Sequence, residues 1–294
     1  MDLNQLRTFH LVAKLGSLAA AARARFCGVK PAVVSRSGSA FEGWVLILVT
    51  FGMLWVPVGQ HAFLIPHWMK VGTFLAPFLL FVAVAFRAPD RPFLADLRGL
   101  SLVMLVAYIV HQFEEHWIDV FGRPYAFRGS VNELLMGALG LDGEGPLTPA
   151  GVFVINTSLV WLVGALAILA SPRHVFPALA MAAIIVVNAV AHVASGLVSF
   201  TYNPGLLTSL LVFFPVGGFV YRRALVEAWA EPRQIAVSLV WGVLAHILMV
   251  GGLVMAGVYG LFSETTYFAA LVLWSMVPVF IYTPGQGPAD GNTA

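Results

Sequence analysis

Three ionisable side chains crowd the end of one apolar stretch, His111-Gln-Phe-Glu114-Glu115, with His116 directly after them. On a helix, His111 shares a face with the residues three and four positions on, which are Glu114 and Glu115. An imidazole and carboxylates held this way are what a divalent metal needs from one helix. They are equally what a proton donor and acceptor pair needs. Further along, Asn188 and His192 repeat the i, i+4 spacing inside another apolar stretch. If the two sets converge, His111, Glu115 and His192 are the candidate ligands of a divalent metal, zinc or iron. Glu114 is then a candidate catalytic acid/base or bridging ligand, and Asn188 a candidate group for positioning substrate or a ligand. In a metal-free version a glutamate moves protons instead.

The elements that must position these residues are membrane helices. Hydrophobic residues make up 60% of the chain and charged ones 10%, with a mean hydropathy of +0.88. A soluble domain is roughly 45–50% apolar and about 25% charged, so a water-soluble fold is excluded. We expect an all-α, polytopic transmembrane helix bundle of about eight spans with a short helical N-terminal appendage. A span needs about 20 mostly apolar residues. Eight stretches qualify: Trp44 to Phe63, Val71 to Phe86, Leu100 to Phe121, Gly151 to Ala170, Phe176 to Phe200, Leu206 to Tyr221, Ile235 to Leu261, and Tyr267 to Tyr282. The second and sixth are short. The domains expected are an appendage over residues 1–40, a membrane domain over 41–283 and a disordered Gly/Pro-rich tail over 284–294. The net charge of +2 says little about partners, and the single cysteine, Cys27, excludes an intrachain disulfide or a cysteine metal cluster. Residues 1–40 carry no apolar run followed by a cleavage site, so the first span is expected to direct insertion.

Lys and Arg counted loop by loop give the orientation. With the N-terminus inside, the inner segments hold Arg7, Lys14, Arg23, Arg25, Lys30, Arg36, Arg87, Arg91, Arg98, Arg173, Arg222, Arg223 and Arg233, and the outer ones only Lys70, Arg123 and Arg128. That bias places both termini in the cytoplasm. It also puts His61, His111, Glu114, Glu115, Asn188 and His192 in the outer half of the bilayer, which is the main argument for one site. Each group has a plainer reading. Glu114 and Glu115 could be solvated at the interface or paired with Arg123 or Arg128, and Asn188 and His192 could simply hydrogen-bond helix to helix. His116 reads as interfacial, His246 equally as a hydrogen-bonded packing residue or as part of the site, and His67 as part of an aromatic belt.

Two resemblances follow. His111, Glu114 and Glu115, then Asn188-Ala-Val-Ala-His192 and Tyr202-Asn-Pro204-Gly205, resemble the HXXEE family of bacterial membrane proteins over roughly Trp44 to Arg223. The likeness implies a membrane domain with a candidate polar site and no named reaction. Met1-Asp-Leu-Asn-Gln-Leu6-Arg-Thr-Phe9, then Gly16-Ser17-Leu18, Ala20-Ala21-Ala22 and Pro31-Ala-Val-Val-Ser35-Arg36, resembles the opening of a LysR-type helix-turn-helix. An extra Val34 rotates Ser35 and Arg36 by about 100° from the expected face, and the polar pair before the proline is reduced to Lys30. We read the segment as a degenerate remnant ahead of a DNA binder. Its basic residues also suit an anionic inner leaflet.

The leading expectation is therefore a membrane enzyme on a lipophilic small-molecule substrate. The alternatives are a membrane-anchored LysR-like regulator binding DNA and a proton or metal-ion transporter, the latter without the internal repeat a transporter favours. Reporter fusions should place Arg222 in the cytoplasm and the stretch 129–145 outside. A periplasmic signal at Arg222 would overturn the shared-depth argument.

Overall fold

The computed structural model describes residues 58–85, 94–171 and 174–281, without the side chains of 58–63, 82 and 83. The LysR-like segment, most of the expected first span and the tail lie outside the described residues, as does the side chain of His61. Among the described residues the fold is all-α, with eight helices: α1 Val58–Ala85, α2 Leu97–His116, α3 Ala126–Leu139, α4 Pro149–Ala170, α5 Phe176–Ser199, α6 Leu206–Val226, α7 Pro232–Gly257 and α8 Glu264–Phe280. Six of them are long and apolar enough to cross a membrane, and α8 is a shorter apolar helix.

This differs from the expected spans in two places. The break expected between the first two, around Pro66 and Lys70, is absent. α1 runs unbroken through Pro66 and Pro77, because Trp68 and Met69 are buried in the core at the very place where polar residues suggested a loop. Proline is tolerated in a membrane helix when neighbours satisfy the freed carbonyl. The second difference is α3, which lies within a stretch expected to be loop. Asn132 ties it down, its amide donating to the Leu147 carbonyl and its oxygen accepting from the Leu147 N–H.

The helix ends follow ordinary capping chemistry. Asp96 accepts from the Gly99 N–H at the start of α2, Thr148 from Gly151 at the start of α4, and Ser263 from Thr266 at the start of α8. Glu231 and Gln234 form a capping box on α7, with Pro232 in the first turn.

α5 is the central element and packs against α2, α4, α6 and α7. Its first half is buried on all sides, and Ala178, Ala180, Ala182 and Ala183 supply little volume there. Small residues let backbones approach closely where lipid gives no hydrophobic drive for helix association. Gly242 of α7 fits against Ala183 so tightly that a Cβ would sit 2.9 Å from the alanine methyl and 3.2 Å from its backbone. Gly164 of α4 meets Leu105 of α2 in the same manner.

Two helices contain wide π turns, Asn156–Leu162 in α4 and Ser209–Phe213 in α6. In α4 the disturbed carbonyls are met by side chains: Asn156 donates to Val152 O, Thr157 to Phe153 O and Ser158 to Val154 O. Such turns are rare and frequent at functional sites.

Gly242→Val should cost about 1–3 kcal/mol through overpacking against a backbone that cannot give way. Thermal unfolding in detergent would read this as a lowered Tm, while Gly251→Ala, where a Cβ meets nothing within 4 Å, should leave the Tm close to wild type.

Candidate functional site

At one end of the bundle the last turns of α2 and α5 meet the first turns of α4 and α6. His111, Glu114, Glu115 and His192, expected to be one cluster, are all buried there. Glu115 Oε1 lies 3.3 Å from His111 Nε2 and 3.0 Å from His192 Nε2. The three ligand atoms of His111, Glu115 and His192 lie within 4.8 Å of one another.

The surrounding hydrogen bonds decide which imidazole nitrogens carry protons. Glu114 accepts from Tyr202 Oη at 2.8 Å, the Leu207 N–H at 3.2 Å, the Thr208 N–H at 2.8 Å and Thr208 Oγ1 at 2.6 Å. Because Thr208 gives its one hydroxyl proton to Glu114, its oxygen can only accept from His111 Nδ1, 2.7 Å away. His111 therefore carries its proton on Nδ1. Asn203 spans His192 in the same sense: its amide donates to the His192 carbonyl at 3.0 Å, so its oxygen accepts from His192 Nδ1 at 2.6 Å. Both Nε2 atoms face the Glu115 carboxylate, and His192 Nε2 is hydrogen-bonded to Glu115 Oε1 at 3.0 Å, a contact that takes a proton on one of the two groups or an ion between them. The 3.3 Å approach of His111 Nε2 lacks hydrogen-bond geometry, leaving that buried atom without a hydrogen-bond partner.

A third imidazole joins from the side. The Trp161 indole N–H, which can only donate, gives to Gln112 Oε1 at 2.9 Å. The Gln112 amide must then give to Asn156 Oδ1 at 2.9 Å, and the Asn156 amide to His116 Nε2 at 3.1 Å. His116 is thus held as an acceptor, 3.3 Å from Glu115 Oε2. The expectation that His116 is interfacial is corrected: it is buried between Trp68, whose ring lies 5.3 Å away, and Phe127, at 4.9 Å. Sequence spacing could not reveal this, because the residues that bury it belong to α1 and α3.

Glu114 stands apart from the triad. Its carboxylate covers the N-terminus of α6, a place where free N–H groups and the helix dipole favour an anion. Burial, and then the hydrogen bond to Glu114, push the Tyr202 hydroxyl well above its usual titration range, so it remains a donor. The neighbouring loop is tied by Asp119, which accepts from Arg123 Nε at 2.7 Å and from the N–H groups of Phe121 and Arg123. Burial opposes charge on Asp119, yet these donors hold its carboxyl below the usual range.

Asn188 does not touch the triad. Its amide donates to the Tyr108 hydroxyl at 2.9 Å, and its buried Oδ1 has no hydrogen-bond partner. It does line the cavity of about 330 Å³ that opens beside the triad, together with Glu115, His116, His192, Asn203 and His246. The rest of that lining is largely apolar, with Leu135, Leu147, Val152, Leu159 and Leu253 among it. His246 gives its Nδ1 proton to Gly242 O, which combines the packing role expected of it with a place on the cavity wall.

The residues that orient the cluster, Asn203, Gly205 and Thr208, drew no role from sequence spacing, although Tyr202-Asn-Pro204-Gly205 stood out as part of the likeness to the HXXEE family. Gly205 has φ +97°, and a Cβ there would lie 2.7 Å from His192 Cε1, 2.8 Å from His111 Cε1 and 3.0 Å from Glu115 Cγ. Only a residue without a side chain leaves the two imidazoles room to meet the carboxylate.

The donor set suits a metal. Ligand atoms ~2.0–2.1 Å from a tetrahedral ion stand roughly 3.3 Å from one another, and the two Oε1–Nε2 separations are 3.3 and 3.0 Å. Each imidazole has its other nitrogen anchored to an outer partner, as metal-bound histidines do.

The fold and this site together describe an integral membrane helix bundle with a buried His/Glu cluster. Residues 102–220 match the family model described as a protein of unknown function with HXXEE motif, a stretch that runs from α2 into α6 and carries the motif at His111, Glu114 and Glu115. No curated protein and no solved structure matches the chain.

Gly205→Ala should destabilise the protein by about 1–3 kcal/mol, since strain at positive φ and overpacking add. Gly260→Ala isolates the strain, because Gly260 also has positive φ (+61°) but open space around it. Comparing the two Tm values in detergent checks this: equal losses would mean that crowding at the site contributes nothing.

Proposed function

We propose that this protein is a membrane-embedded metalloenzyme of the bacterial inner membrane acting on a lipophilic substrate. The observation that carries the reading is that a ring nitrogen of His111, one of His192 and a Glu115 carboxylate oxygen converge in a buried place, a donor set that a divalent cation would satisfy as three ligands. His111, Glu115 and His192 are the ligands. Two imidazoles and one carboxylate serve zinc in hydrolytic sites and ferrous iron in oxygenases, so the metal is one of these two. Such an ion would act as a Lewis acid at the polar end of the cavity.

The chain's own groups have distinct roles in this reading. Thr208 and Asn203 fix the ring orientation of the two histidines. Glu114, with its acceptor positions filled, holds α6 and Thr208 in place and acts as a positioning residue in preference to an acid or base. Asn188 lines the cavity and helps to position substrate there, and Nε2 of His246 is available as an acceptor. The largely apolar lining favours an enzyme over an ion pathway, which would need polar groups along its length.

Metal analysis of protein purified without chelators tests the reading. Wild type should hold about one zinc or iron per chain. Glu115→Gln and His192→Ala should fall to background with expression retained, and Thr208→Val should weaken retention by roughly 10–100-fold, as loss of an outer-shell partner does. Wild-type protein that stays empty after incubation with both metals would leave the cluster as hydrogen-bonded helix packing and end the proposal.

A further inference from the structure

The cavity beside the triad has a mouth whose position bears on what can enter it. Of its lining residues, Leu134 of α3, Ala191 of α5 and Val250 of α7 are exposed, and all three are apolar. α5 and α7 are membrane-spanning helices, so an opening between them faces acyl chains. α3 packs chiefly against α2 and, through Phe127, against His116 and His192, with ring centroids 4.9 and 6.1 Å apart. It covers the site from the end of the bundle and leaves its Leu134 side at the mouth. The polar lining comprises Glu115, His116, Asn156, Asn188, His192, Asn203 and His246 with the hydroxyl-bearing Tyr108, Ser130 and Ser195, while Leu134, Leu135, Val250 and Leu253 mark the apolar way in.

We propose that this mouth is a lateral portal from the bilayer, and that the ligand is a hydrocarbon-bodied amphiphile with one small oxygen-bearing polar end. The apolar body lies between α3 and α7, where every contact replaces a lipid contact at little cost. The polar end reaches the Glu115–His192 wall, where Nε2 of His246 accepts a hydrogen bond from a hydroxyl. A charged headgroup is disfavoured, because it would have to cross the apolar mouth without a partner. This rests on the cavity and extends the metalloenzyme reading by naming the substrate class.

The test uses full-length protein in lipid nanodiscs and a long-chain primary alcohol bearing a diazirine midway along its chain. Photolysis should label peptides carrying Leu134, Leu135, Val250 or Leu253, and unlabelled alcohol should compete. Ala191→Trp and, separately, Val250→Trp should each lower that labelling by roughly tenfold while metal content and Tm remain those of wild type. Glu115→Gln should keep the labelling while losing metal, so the two readings fail separately: labelled but metal-free wild type would sink the metal and keep the portal. Labelling confined to the outward face of α1, at Phe74 or Phe81, or undiminished in both folded tryptophan variants, would overturn the portal. If one variant does not fold, the other decides.

Discussion

The arrangement depends on one buried carboxylate shared by three imidazoles. Glu114, one residue earlier, collects hydroxyl and backbone donors instead. Of the three imidazoles within 3.3 Å of Glu115, those of His111 and His192 turn their Nδ1–H groups away, each toward an outer acceptor at 2.6–2.7 Å. Reversing either ring would cost Thr208 or Asn203 its partner. A buried polar group left without a partner costs about 1–3 kcal/mol. The outer bonds hold both Nε2 atoms at the carboxylate, where a shared proton or a metal cation would complete the cluster.

The same logic explains why a tryptophan belongs so deep in the network. An indole N–H cannot accept, so Trp161 sets the direction of every bond from Gln112 through Asn156 to His116. The π turn of α4 contains both Asn156 and Trp161, and its own backbone is supported by the hydroxyls of Thr157 and Ser158. The π turn of α6 contains Phe213, whose ring lies 4.1 Å from that of His111. Irregular helix is tolerated in a membrane where it is buried in protein, and here it shapes two walls of the site.

Much of the fold was legible because a bilayer asks one question of the chain, and apolar length answers it. The stretches beginning at Leu100, Gly151, Phe176, Leu206 and Ile235 correspond to α2, α4, α5, α6 and α7 with ends shifted by a few residues. α1 was misread because Pro66, His67 and Lys70 resemble a loop, and only the partners of Trp68 show that they are not one. α3 was missed because its anchor, Asn132, acts through the backbone of Leu147, fifteen positions on. In the site, the triad followed from helical spacing and shared depth. Spacing could not separate Glu114 from Glu115: adjacent residues point about 100° apart on a helix, and which of the two meets the imidazoles depends on where α6 begins.

That difference of one residue divides the labour of the motif. One carboxylate is spent on the N-terminus of α6, which brings Thr208 to His111 and sets Gly205 against both imidazoles. The other is kept for whatever the imidazoles hold. Neither could take the other's place, because the first is saturated by hydroxyl and backbone donors and the second is ringed by imidazoles. Chemistry at this place is therefore confined to Glu115 and the histidines. Their open side is the polar wall of a cavity whose remaining surface is largely hydrocarbon. An ion bound there would lie out of contact with bulk water, where its pull on an oxygen atom is least screened, and a molecule already dissolved in the membrane would reach it without first shedding a shell of water.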